Sequence, residues 1–226
     1  MSNSSISKGI VYYTDNRCSP RVLQLAQDYL TLADLPIVSV SLKPLSFGRN
    51  IYVPWQRGYL TMFKQILIGL ESINTDIVFL AEHDVFYHKS HFDFIPSRED
   101  QFYYNLNNWQ VRFSDGFAVY WDCKKVSQIC VYRNLALKHY RERVRKIEKN
   151  DFTYKMGFEP GAHNRNERVD DLKSDVWQSG FPNLDVKHGL NLTKIIWDAD
   201  GFNRPCKNWS STFVNQLPGW EDLNLC

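Results

Sequence analysis

Three consecutive residues, Glu82, His83 and Asp84, carry the strongest chemical signal in the chain. They follow directly on an apolar run, Ile77-Val78-Phe79-Leu80-Ala81. Such a run reads as a strand buried on both faces, as in a parallel sheet. Polarity that arrives as the strand leaves the core falls at a carboxyl end, where open α/β sheets bind ligands. Residues i and i+2 of an extended segment share one side, so Glu82 and Asp84 can converge. A carboxylate pair so placed can hold a hard divalent cation that keeps waters and accepts phosphate oxygens. The plainer alternative is a solvated turn ending a strand, and the triplet alone leaves both open.

The elements that must position the triplet alternate strand and helix. Residues 9–13 form a short β-type run ended by the polar turn Thr14-Asp15-Asn16. Ser19-Pro20 opens a helix, with Ser19 as N-cap and Pro20 at the first helical position. Residues 37–42 give a second strand, and the βαβ unit implies a parallel sheet. Residues 43–55 read as irregular, punctuated by Pro44, Gly48 and Pro54. A helix over 58–72 presents Leu60, Phe63, Ile66, Leu67 and Leu70 on one side and feeds the central strand. Downstream, 101–104, 109–113 and 117–121 read as short strands, with Asp115-Gly116 as a turn. Residues 126–150 read as one long helix, strongly basic from Arg133 to Lys149, and 164–175 as a short one. Residues 181–189 read as a loop and short strand that end in His188 beside Gly189. The segment from Asn203 onward reads as a flap or a loosely packed end.

A length of 226 residues fits one domain, and 43% hydrophobic with 23% charged residues is a globular balance. The net charge of +2 does not announce a nucleic-acid binder. Aromatic residues, at 15%, suit stacking on bases or sugar rings as well as a ring-rich core. No apolar stretch approaches a membrane span, and the polar first eight residues lack a signal core. The five cysteines include no CxxC pair, which argues against a zinc knuckle or a redox dithiol. A reduced, cytoplasmic compartment follows as the expectation. The sequons at Asn3, Asn191 and Asn208 are then chance matches.

Taken together, the polar turn after the first strand (Tyr13-Thr14-Asp15-Asn16), Glu82-His83-Asp84 and the distant Asp185-Val186-Lys187-His188-Gly189 resemble the GT-A glycosyltransferases, which use nucleotide-sugar donors. The triplet looks like that family's Asp-x-Asp motif, with Glu in place of the first Asp, and His188 stands where many members supply a C-terminal His to the metal. The longer strings around them are similar to small bacterial and phage glycosyltransferase-like proteins. The resemblance implies an α/β fold: a single GT-A-like (Rossmann-like) domain whose mixed, mostly parallel sheet is flanked by helices. It implies a nucleotide-binding half over 9–87, an acceptor half over 88–200 and a C-terminal tail over 201–226.

The resemblance further implies a metal-dependent glycosyltransferase that moves a sugar from a nucleotide diphosphate-sugar to a hydroxyl acceptor. Asp84 and His188, with waters, would hold Mn²⁺ or Mg²⁺, an imidazole tilting the choice toward Mn²⁺. Tyr13, Thr14, Asp15, Lys64, Glu82 and His83 would contact the donor, with His83 pointing away from the metal. An inverting transfer needs a general base, for which Glu159, fixed by Pro160-Gly161, is preferred over Asp170 and Asp171. Asp115, beside Gly116, would approach sugar and acceptor. Arg57 is a further diphosphate candidate, and His88, His91 and His163 are further ligand candidates, each with a surface or core role as its commoner explanation. The acceptor is open. A hydroxymethylated DNA base is one alternative, motivated by the basic helix and by Tyr103, Tyr104, Trp109 and Trp121. A nucleotidyltransferase or metal-dependent hydrolase, and a non-catalytic sugar- or nucleotide-binding domain, are the alternatives from other classes.

Overall fold

The computed structural model describes residues 6–162, 167–191, 196–202 and 206–225. In chain order its elements begin β1 (Lys8–Thr14), α1 (Pro20–Thr31), β2 (Ile37–Ser41), β3 (Arg49–Tyr52), α2 (Tyr59–Ser72), β4 (Ile77–Glu82) and β5 (Val85–Phe86). They continue β6 (Gln101–Asn105), β7 (Asn108–Arg112), β8 (Phe117–Tyr120), β9 (Ile129–Tyr132), α3 (Arg133–Asn150), β10 (Lys173–Trp177), β11 (Asn183–Lys187) and β12 (Ser210–Phe213).

The fold is α/β. Its main sheet has seven strands in the order β10-β6-β9-β4-β1-β2-β3. All pairs are parallel except those that β9 makes with β4 and β6. Alternation along β1 divides the core between two layers. Val11 and Tyr13 face α2 and α3, packing with Phe63, Ile66 and Tyr140. Ile10 and Tyr12 face the other way, toward Leu30 of α1. Gly69 lets α2 lie close on β1, since a Cβ there would stand 2.3 Å from Val11 Cγ1.

A second sheet of five strands, β12-β8-β7-β11-β5, was not anticipated as a separate layer. It carries its own core, including Phe86, Leu184, Val186 and Trp220. The tail belongs to this core and is neither a flap nor loose. Strand β12 pairs with β8, and Trp220, 1% exposed, donates from Nε1 to Pro182 O at 2.7 Å.

Other expectations need correction. The 43–55 stretch contains the edge strand β3, whose side chains are too polar for a hydrophobic signature. The 126–150 segment is not one helix: Ile129-Cys130-Val131-Tyr132, β-branched and aromatic, form the buried strand β9 before α3 begins. Within 164–175, the described residues hold no helix, and 173–175 open β10, a largely exposed edge strand. His163, Asn3 and Cys226 lie outside the described residues. No helix among the described residues is long and apolar enough to cross a membrane.

The basic helix α3 is largely satisfied within the protein. Arg141 pairs with Glu71 at 2.9 Å and Arg145 with Glu142 at 2.7 Å. Arg133 donates to Leu70 O and Lys146 to Val169 O. Arg143 is buried; it donates from Nε to His139 Nε2 at 3.0 Å and from Nη1 to Gly157 O at 2.7 Å. His139 therefore carries its proton on Nδ1, which donates to Asp170 Oδ2 at 2.5 Å. Burial lowers the His139 imidazole below its ordinary value, and its contact with the Asp170 carboxylate is a charge-assisted hydrogen bond.

Burial would raise the Asp170 carboxyl, but the His139 hydrogen bond and nearby positive charge hold it below its ordinary value. The carboxylate thus stabilises the fold above the unfolded-state pKa of about 3.9, and that contribution is lost as pH falls through the folded value. Asp170→Asn is expected to cost about 1.5–3 kcal/mol at neutral pH. The urea-unfolding gap between variant and wild type should close as pH drops into the acid range, whereas a gap independent of pH would contradict this role.

Candidate functional site

The carboxyl ends of β1 and β4 open into a cleft of about 570 Å³ between the two sheets. The local sequence builds its rim. Asn16, at φ 59°, takes the left-handed conformation that Asn tolerates, and its Oδ1 accepts from Leu42 N and Lys43 N at 2.8 Å each. That ties the turn after β1 to the end of β2. Beneath it, the buried Gln65 of α2 donates to Thr14 O and Val40 O. The positions of Tyr13, Thr14 and Asp15 are therefore set by strand, turn and helix together.

Tyr13, Thr14, Asp15, Glu82, His83, Asp84 and Glu159 all line the cleft. Tyr13 donates from its hydroxyl to Glu82 Oε1 at 2.5 Å. Burial, with the neighbouring Asp84 charge, pushes the Glu82 carboxyl up to about 8. Asp84 Oδ2 accepts from Asn191 Nδ2 at 2.7 Å and lies 3.8 Å from His188 Nε2. The His188 side chain is 1% exposed, and neither ring nitrogen has a hydrogen-bond partner among the described residues. An imidazole buried without partners costs free energy unless something else occupies its nitrogens. That orphaned ring beside a carboxylate fits a divalent cation.

Asp15 forms an ion pair with Arg57 at 2.5 Å, which brings Arg57 onto the cleft wall. His83 departs from expectation. It lies 3.8 Å from Asp15 and joins Cys18 and His188 in a group whose ligand atoms all fall within 4.8 Å of one another. It points toward the candidate metal position, because the chain turns immediately after β4 and extended alternation stops there.

Glu159 sits on a turn that is firmly held. Tyr104 donates to Pro160 O at 2.7 Å and Ser174 to Gly161 O at 2.8 Å. Gly161 adopts φ +68°, and a Cβ there would meet the Lys173 backbone at 2.7 Å.

Two expected site residues do not reach the cleft. Lys64 points from α2 toward α3, pairs with Glu148 at 2.6 Å and lies over the Trp55 ring. Asp115 occupies the exposed β7–β8 turn and is bound bidentately by Arg112 at 2.8 and 2.6 Å. The histidines with bland alternatives follow them: His91 is a core residue among Asn105 and Asn183, and His88 caps the short turn of helix that follows it.

The cleft also has a cationic floor that no single motif announces. Lys125 and Lys187 hold the Asp185 carboxylate at 2.8 and 2.7 Å. Burial opposes ionisation of Asp185, yet the two ammonium groups hold its carboxyl well below the usual range. The signal for Asp185 and Lys187 was available, since i and i+2 on a strand share a face. Lys125, from a loop far off in sequence, had none.

A second hollow of about 630 Å³ lies at the opposite end of the sheet, beside Ser7, Asp76 and Arg133. It is far from the acid pair and at the amino ends of the central strands.

No family model matches the chain, and no curated protein matches it. Among solved structures, it is similar to the apo form of the glycosyltransferase GlyE of Streptococcus pneumoniae TIGR4, at 11% identity and a TM-score of 0.43. The match covers 75% of this chain and 45% of that one, so this chain spans less than half the length of that protein. A likeness at that score bears on neither activity nor ligands.

Proposed function

We propose that the protein is a metal-dependent glycosyltransferase that moves a sugar from a nucleotide diphosphate-sugar to a hydroxyl acceptor. One observation carries this reading: the turn after β1, the acid pair at the end of β4 and the pinned Glu159 line one cleft at strand carboxyl ends, and the orphaned His188 lies 3.8 Å from Asp84 on its wall. Asp84 and His188 would hold the divalent cation, with Mn²⁺ or Mg²⁺ as first candidates. Such an ion supplies Lewis-acid stabilisation of charge on the departing diphosphate.

The chain's own residues account for the rest. The bond from the anomeric carbon to the diphosphate oxygen breaks, and its electron pair leaves with the nucleoside diphosphate. A bond forms from the acceptor oxygen to that carbon. In an inverting transfer, Glu159 takes the acceptor proton. Tyr13, Thr14 and Asp15 border the nucleotide, while Arg57, Lys125 and Lys187 set positive charge along the wall and floor where the diphosphate would lie.

The test is product analysis with nucleotide sugars, a divalent cation and an acceptor panel that includes hydroxymethylated DNA. Release of nucleoside diphosphate with sugar on an acceptor is expected. Release of pyrophosphate from nucleoside triphosphates would identify a nucleotidyltransferase instead. Absence of turnover with every donor would favour a binding domain.

A further inference from the structure

The donor atoms around His188 are softer than a magnesium-type site calls for. Cys18 lies between β1 and α1, His83 directly follows β4 and His188 directly follows β11. Three distant segments thus bring one thiol and two imidazoles together, with all three ligand atoms within 4.8 Å of one another. The Cys18 thiol donates to the His83 carbonyl at 3.8 Å and packs beside the core that holds Phe86 and Trp220. The His83 and His188 rings stand 6.3 Å apart, inclined at 58°. The His188 side chain is 1% exposed, Nε2 lies 3.8 Å from Asp84 Oδ2, and neither ring nitrogen has a hydrogen-bond partner among the described residues. Three converging ligands and a buried ring with no hydrogen bonds are independent observations that point to the same occupant.

We propose that Cys18, His83 and His188 form a three-ligand centre for a zinc-class divalent cation, with Asp84 at its edge. Thiolate and imidazole select zinc, cobalt or copper over magnesium and calcium, which prefer all-oxygen sites. Three protein ligands leave a fourth position for water or substrate, the pattern of zinc sites that do chemistry. Zinc holds nitrogen at about 2.0–2.1 Å and sulfur at about 2.3 Å, so the three side chains draw inward when it binds. The thiol proton passes to solvent as the Cys18–metal bond forms. This centre shares His188 with the metal reading above, but it does not depend on sugar transfer.

Cobalt is the probe, because it is coloured in zinc sites. Titration of the full chain with Co²⁺ is expected to reach one equivalent and to produce a thiolate-to-cobalt charge-transfer band. Zn²⁺ should displace the cobalt, and excess Mg²⁺ should not. Cys18→Ser, read once its circular dichroism matches wild type, should abolish the band, whereas Cys206→Ser should leave it. His83→Gln is the second variant and should weaken cobalt binding by about 10-fold or more, at least the cost of losing an outer-shell partner of a metal site. A band that survives Cys18→Ser, or no band in wild type, would overturn the centre. If nucleoside diphosphate is released with Mn²⁺ and no band forms, the thiolate centre fails and glycosyl transfer stands. If the band forms and no nucleotide sugar is ever turned over, the centre stands and glycosyl transfer fails.

Discussion

Glu159→Gln is expected to lower turnover by about 10²–10⁴-fold, the usual worth of a positioned general base, while donor binding stays within about twofold. The expectation rests on a separation of tasks in the cleft. The side proposed for the nucleotide is built from the turn after β1 and the end of β4, while Glu159 comes from a turn held independently by Tyr104, Ser174 and the β10 backbone. Gln keeps the volume and the turn and removes only the ability to take a proton. A fall in KM-independent rate with unchanged donor affinity is the signature of a group that acts after binding. Equal activity of the variant and wild type would remove Glu159 from the mechanism and send the search for a base elsewhere along the cleft.

Asp84→Ala is expected to abolish metal-dependent donor binding. Its carboxylate is the acid closest to the orphaned His188, and Asn191 orients it through a 2.7 Å hydrogen bond. At a donor concentration of about 100 times Kd, ligand binding adds about 2.7 kcal/mol to wild-type stability, and the variant should gain almost none of it. Asp84→Asn keeps the shape and the Asn191 contact region but loses the charge, so it should behave like the alanine variant. Metal-dependent donor binding retained in both would show that Asp84 is structural.

The parts of this site that were legible share one property: local sequence pattern reports them. An apolar run broken by Glu82-His83-Asp84 marks a strand end. Ser19-Pro20 marks the start of α1, and Pro160-Gly161 marks the turn that holds Glu159. Strand β9 was hidden because Ile129 to Tyr132 abut a helix of similar apolar content, and β3 and β10 were hidden because edge strands carry polar side chains on both faces. Lys64 and Asp115 were misplaced for a related reason. Charge on a helix or turn does not reveal its direction, and Glu148 and Arg112, the groups that claim them, are revealed only by packing. Cys18 was unreadable as a ligand because its companions, His83 and His188, come from segments 65 and 170 residues away by subtraction of their numbers. The separate five-stranded sheet escaped notice because its strands are short and scattered, and only the tertiary fold shows that β5, β7, β8, β11 and β12 belong together.

In the proposed mechanism a nucleotide diphosphate-sugar and a divalent cation share this cleft. Their joint binding is tested most directly by the melting temperature of the full chain with a panel of nucleotide sugars, each with and without Mn²⁺, Mg²⁺ or Zn²⁺. An upward shift is expected for one nucleotide sugar, present only with a divalent cation and lost in Asp84→Ala. No shift with any donor under any metal would contradict it, and would leave Glu82-His83-Asp84 as the polar end of a strand.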